Sequence, residues 1–286
     1  VVALPAGQRR GILAFVSATV QLPSTLPVVA ATRYVLALRE GGSLPAVVEA
    51  DDLGTYVVKF VGAGQGPRAL VAEIVVGSLA RALGLPVPEL VLIEIDKRLA
   101  DAEPDEEVQD LLRASAGLNL GIDFLPGALD LAPSVDAVSP DLAARIVWFD
   151  AFTDNVDRTW RNPNLLLWHE QPWLIDHGAA LYWQHDPARA QAATDRPLVG
   201  ASEHVLLARA GALRDADAAL APMIDGSLLN ATLELVPDAW LLPRPDLPDA
   251  PTPHAARGWY VDHLMGRLRE RERWLTALEV ARGASL

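Results

Sequence analysis

The sequence feature that most constrains this chain is the run FDAFTDNVDRTWRNPNLLLWHEQPWLIDHGAAL, residues 149–181. It sets Asn, Asp and Arg side chains between apolar segments that would otherwise be core. Leu165–Trp168 and the apolar residues before Asp176 read as two buried strands, and HEQP between them reads as a turn. Together they make a hairpin. Its antiparallel pairing brings Asn162, entering the first strand, close to Asp176, leaving the second. Asp157 and Asn162 are five residues apart, a spacing that suits one loop. Oxygens converging beside Asp157 suit Mg2+, a hard cation that takes one or two protein oxygens and completes its shell with water and phosphate.

Composition narrows the chemistry. There are no cysteines among the 286 residues, which excludes disulfides, thiolate zinc sites and cysteine nucleophiles. The net charge of −13 argues against a direct nucleic-acid partner, because a phosphate backbone needs a basic face. No apolar run is long enough to span a bilayer, so no membrane segment is expected. The opening residues, VVALPAGQRRGILAFVSATVQLP, carry two arginines before an apolar stretch. Ser17, Thr19 and the lack of a small-x-small site favour a hairpin or buried strand over a signal peptide, and with it a cytoplasmic location. Of the 24 basic residues only Lys59 and Lys97 are lysine. A lysine is the unusual choice in this chain, and it differs from arginine in shape and hydration.

Along the chain, residues 30–61 read as strands, with turns at Gly41–Gly42 and DDLG. GAGQGP (62–67) is a loop, and residues 68–85 form a helix that ends at Gly84 before Pro86. Residues 88–96 form a strand, 105–117 an acidic helix, and 118–127 a last strand running into a turn. After Pro126 the texture turns helical: 140–155 is amphipathic, PRPDLPDAPTPH breaks the pattern, and 258–283 reads as one closing helix. Strands with one long helix, succeeded by helices, give an α+β chain.

DNVDRTWRN with the later LIDHG resembles the catalytic loop and metal-binding segment of the protein-kinase-like superfamily, and NPNLLL with IDHG is most similar to the HipA-like kinases. The resemblance covers residues 45–180 and implies a two-lobed fold. Residues 1–126 would form a small β-rich N-lobe and 127–286 a larger, mainly helical C-lobe. It also implies ATP and Mg2+ as cofactors, with Asp157 as the catalytic Asp and Asn162 and Asp176 as metal ligands. Asn155 and Arg158 match the family loop, and Arg158 counts with the catalytic set; Asn164 takes a structural role. TYVVKF resembles the strand that supplies the phosphate-binding lysine, Lys59, and Glu73, fourteen residues later, is the helix Glu that would pair with it. Order along the chain sets the adenine hinge at Asp123, Phe124 and Leu125.

Two departures stand out. No G-x-G-x-x-G lies between the first two strands; GAGQG, with Gly64, comes after the lysine strand and reads either as a phosphate cover or as a connector. His177 stands where protein kinases carry Phe. The bland alternative, turn and cap residues around a hairpin, suffices for any one of these positions. Three acids and amides with a correctly ordered Lys–Glu pair favour the site. His169, His177 and His185 fit no zinc pattern, and Trp160, Trp168, Trp173 and Trp183 read as core packing around the site. The reaction implied is phosphoryl transfer to a hydroxyl of an unidentified protein or small-molecule acceptor. A nucleotide-binding pseudokinase and a small-molecule kinase with an acidic acceptor pocket in RDADAALAPMIDG are the alternatives.

Overall fold

The structure, a computed structural model, describes residues 21–38, 44–64, 66–131, 137–190, 194–242, 246 and 250–284. The opening apolar segment up to Val20, the Gly41–Gly42 turn and much of the Pro-rich break lie outside the described residues.

Five strands close a small barrel: β1 (Val28–Ala37), β2 (Ala46–Ala50), β3 (Thr55–Lys59), β4 (Leu90–Ile95) and β5 (Gly117–Asp123), in the order β1-β2-β3-β5-β4. The pairings are antiparallel except β1 with β4, which is parallel through Val28–Ala30. The β2–β3 turn is set by its own side chains. Asp52 accepts the Gly54 amide (2.8 Å) and the Tyr56 hydroxyl (2.6 Å), while Leu53 takes a positive φ of 68°. In β3 alternate residues face in, so Val58 and Phe60 enter the barrel core with Val48, Ile93 and Ile95. α2 (Glu106–Ala114), N-capped by Asp105, closes one end with Val108 and Leu112.

Between β3 and β4 runs α1 (Gly66–Ala82). Its residues from Ala69 to Ala80 are all buried, as expected of a helix apolar on every side. It ends in a Schellman turn: Gly84 takes φ 76°, Leu85 N–H donates to Ala80 O and Gly84 N–H to Arg81 O. α1 belongs to the larger of two hydrophobic clusters, which also holds the C-terminal helices.

The C-terminal part contains β6 (Leu129–Asp130), α3 (Pro140–Thr153), β7 (Leu165–Trp168), β8 (Gln171–Leu174), the short α4 (Pro187–Ala190), α5 (Leu213–Leu220), α6 (Gly226–Glu234), α7 (Pro253–Arg269) and α8 (Arg271–Ala284). Ser139 caps α3 and Pro140 occupies its first turn. β7 and β8 form the expected hairpin, but the turn is only His169–Glu170, both at positive φ as a tight two-residue connection requires. β6 pairs with β7 and makes the sheet three-stranded.

The closing segment is two helices rather than one. The chain turns at Glu270, and Trp274, fully buried, swings under α7 to donate its indole N–H to Arg267 O (3.0 Å) and pack edge-on to Trp148 (5.6 Å). Burying an indole with its N–H satisfied outweighs one more helical turn. Among the described residues no helix is long and apolar enough to cross a membrane. The molecule is thus a mixed α/β protein with a small β-rich N-terminal region and a helical C-terminal part.

Candidate active site

A cleft of about 810 Å³ is lined by residues of the barrel and of the C-terminal part. Its walls come from separated stretches: Val57 and Lys59 of β3, Asp123–Leu125 at the end of β5, Asn162 and Asn164 before β7, and Asp176 after β8. Its size is that of small-molecule sites.

Lys59 ends β3 with its side chain only 12% exposed. Its ammonium bonds Glu73 Oε1 of α1 and Asp176 Oδ1 (2.7 Å). Burial alone would lower the Lys59 pKa, but the two carboxylates outweigh it and hold it above its ordinary value. Glu73 is buried, and its pKa is pushed up by burial and by Asp176, against Lys59. Asp176 is more exposed; burial pushes its pKa up but the lysine holds it down. One cation is therefore shared by two carboxylates, of which Asp176 is the more readily ionised. Asp176 itself sits at φ 54°. At Gly178 a Cβ would come within 3.2 Å of Glu73 Oε1, so glycine lets the segment after β8 pass close to the ion pair.

The loop after α3 begins at Asp154, which ends the helix in the left-handed conformation. Asp157 Oδ2 accepts the side-chain amides of Asn162 (2.7 Å) and Asn164 (3.2 Å). The five-residue spacing thus closes as a ring, and the Asp157 backbone N–H is held by Asn155 Oδ1 (3.2 Å). With its nitrogen on Asp157, Asn162 has its carbonyl oxygen left for another partner. Among the described residues no three His, Cys, Asp or Glu side chains form a metal site by themselves. A carboxylate at Asp176 and a carboxamide oxygen at Asn162, both lining the cleft, nevertheless fit Mg2+, whose remaining positions water and phosphate fill.

The sequence-derived residues do not all meet. Lys59, Asn162, Asp176 and Asp123–Leu125 line the cleft, with Glu73 and Asp157 one contact behind them. Gly64 is exposed and is not among the cleft-lining residues; Leu38 and Pro45, flanking the β1–β2 connection, are. Arg158 is fully buried and does not line the cleft. It bonds Asp150 of α3 (Nε–Oδ2 2.6 Å) and Asn164 O (2.5 Å), and lies 3.4 Å from His177 Nδ1. His177, buried beside it, has its pKa pushed down to about 3 by burial and the Arg158 charge.

Two features were missed from sequence, and Asn164, given a structural role there, lines the cleft at φ 49° and donates to Asp157 Oδ2. Arg161 also lines it, lying over the Trp160 ring at 4.3 Å. Asp150 and His204 pair under the loop (3.0 Å). Arg161 stands inside the motif and could have been flagged; nothing local marks Asp150 with His204. The four tryptophans do not gather round the site. Trp168 and Trp173 pack edge to face (5.5 Å), Trp160 is exposed, and Trp183 stacks on His263 among the helices. The acidic segment expected to offer an acceptor pocket, residues 214–226, lies in α5 and the turn leading into α6. There Asp217 binds Trp148 and Arg271, and none of the segment lines the cleft.

No curated protein sequence is significantly similar to this chain. A family model described as HipA-like kinase matches residues 33–268, a span that takes in most of the barrel, the whole cleft and the C-terminal helices up to α7, but not α8. The match covers most of the chain, and the chain belongs to the HipA-like kinase family.

Proposed function

We propose that the protein is an ATP- and Mg2+-dependent phosphotransferase that moves the γ-phosphoryl group to a hydroxyl, with protein Ser/Thr side chains as the acceptor class. The barrel would be the smaller lobe of a two-lobed kinase fold and the helical part the larger. The observation that carries this reading is the ion triad of Lys59, Glu73 and Asp176. It is assembled from residues far apart in sequence, and its Lys59 and Asp176 line a cleft that Asp123–Leu125 and Asn162 also line.

The contacts support the following roles. Asp123–Leu125, which line the cleft, would border the nucleobase. Lys59, held by Glu73, offers its charge to the phosphates, whose oxygens compete with Asp176 for it. Asn162 and Asp176 would hold Mg2+, which when bound draws negative charge from the phosphate oxygens. Asp157 takes the acceptor proton as the acceptor oxygen bonds to the γ-phosphorus and the bond to the β–γ bridging oxygen breaks, releasing ADP. Two amide donors fix Asp157 Oδ2 and so set the direction of its other oxygen.

Asp157→Asn tests this. Phosphoryl transfer from γ-labelled ATP should fall on the order of 10²–10⁴-fold, the share a positioned base contributes. ATP binding should be retained. Full activity in that variant overturns the assignment. ATP binding by the wild type with no transfer to any hydroxyl would make the protein a nucleotide-binding regulatory module instead.

A further inference from the structure

Beneath the loop that carries Asp157 lies a cluster of charged and polar groups that reaches the cleft only through other residues. Its centre is Asp150, on the last turn of α3 and fully buried. Its carboxylate accepts Arg158 Nε (2.6 Å), Asn155 Nδ2 (3.0 Å) and His204 Nε2 (3.0 Å). The His204 proton is fixed on Nε2, because Nδ1 accepts the Leu206 N–H (3.2 Å). Burial would raise the Asp150 pKa, but Arg158 and His204 hold it well below the carboxylate range.

The partners of Asp150 bracket Asp157. Asn155, two residues before it, holds the Asp157 N–H; Arg158, the next residue, reaches Asn164 O, and Asn164 in turn donates to Asp157 Oδ2. The segment around His204 clamps the same loop from outside. Thr159 pairs with His204 as an isolated bridge, Trp160 N–H donates to Glu203 O and Val205 N–H to Arg158 O (both 3.1 Å). A buried ion cluster is a weak source of stability, since packed apolar residues of the same volume serve as well. Its directional bonds do what apolar packing cannot: they fix one loop geometry.

We propose that Asp150 and His204 are positioning residues for phosphoryl transfer: the pair locks the 155–164 loop so that Asp157 and Asn162 meet the nucleotide in one arrangement. The transfer step in this statement rests on the kinase reading; the locking does not.

Amide hydrogen exchange tests the locking directly. In His204→Leu, protection at Asp157, Trp160 and Val205 should fall by about tenfold or more, while β3 and β5 amides stay within about threefold of wild type. His204→Gln, which can still donate to Asp150, should keep most of the loop protection. Unchanged loop protection in His204→Leu overturns the proposal. So does an equal loss in barrel and loop, which would mean general destabilisation, and so does a Gln variant as poor as Leu. Asp150→Asn should show the same loop-selective loss more strongly; if it does not fold, the His204 pair decides. In the kinetic arm, His204→Leu should lower kcat about tenfold to a hundredfold with KM for ATP nearly unchanged, as for a misplaced reacting group. A raised KM with kcat intact contradicts it. A wild type without turnover counts against the kinase reading and leaves the exchange comparison intact.

Discussion

Lys59→Met removes the one cation that, among the described residues, bonds the Glu73 carboxylate, and the cost can be bounded from the structure. Glu73 is 1% exposed, so its charge in the variant has neither water nor counter-ion. Leaving a buried charge unpaired costs about 3–5 kcal/mol. The variant can escape part of this by protonating Glu73. From the ordinary value of 4.5, that costs about 1.4 kcal/mol for each pH unit above it, or about 3.4 kcal/mol at pH 7. The charge penalty is therefore capped near that figure at pH 7 and at about 0.7 kcal/mol at pH 5. The sign is set by proton counts. With the folded pKa raised above the unfolded one, the folded variant binds more protons between them, so its stability falls as pH rises. Urea unfolding monitored by tryptophan fluorescence at pH 5 and 7 reads this directly. Lys59→Met should lose about 3 kcal/mol at pH 7 and much less at pH 5, and Lys59→Met/Glu73→Gln should recover most of the loss. A loss that does not shrink toward pH 5, or a double variant no better than the single one, refutes the reasoning.

Other consequences are independent of this. At Gly121 in β5 a Cβ would lie 2.7 Å from Val91 Cγ2, so Gly121→Ala should cost about 1–3 kcal/mol and Val91→Ala should restore part of it, by urea midpoint. His263 stacks on Trp183 and has its pKa pushed down to about 3 by burial and Arg267. Below pH 6.5 the unfolded chain takes a proton there that the folded one refuses, so stability falls with falling pH. The share at pH 5.5 is about 1.4 kcal/mol, and His263→Phe should flatten that part of the pH–stability curve.

What could be read from sequence was what local pattern writes. The three strands before α1, the hairpin at 165–174 and the helix over 140–153 come from alternation, caps and turn residues. Lys59 stood out because lysine is rare in this chain, and its contact with Glu73 matches the helix that comes after β3. The five-residue spacing of Asp157 and Asn162 suited one loop, and the two side chains meet there through the Asn162 amide nitrogen. Long-range geometry was not legible. The parallel β1–β4 pairing closes the barrel across more than fifty residues, and β6 is two residues that only β7 makes a strand. The break at Glu270 is decided by Trp274 meeting Trp148, over a hundred residues earlier. Asp150 sits in what reads as an ordinary helix end, and its partner His204 in an unremarkable loop; only the folded chain brings them together. Gly64 shows the reverse: it belongs to a glycine-rich run with the right composition, yet it is not among the cleft-lining residues.

The central claim is that Lys59, Asn162 and Asp176 form a nucleotide and metal site. Calorimetric titration of ATP, with and without Mg2+, into the wild type and Asp176→Ala tests it most directly. The account predicts that the wild type binds ATP, that Mg2+ tightens the binding, and that Asp176→Ala retains binding but loses the Mg2+-dependent part. A wild type that binds no nucleotide in Mg2+ or Mn2+, or an Asp176→Ala variant that responds to Mg2+ as the wild type does, would contradict it.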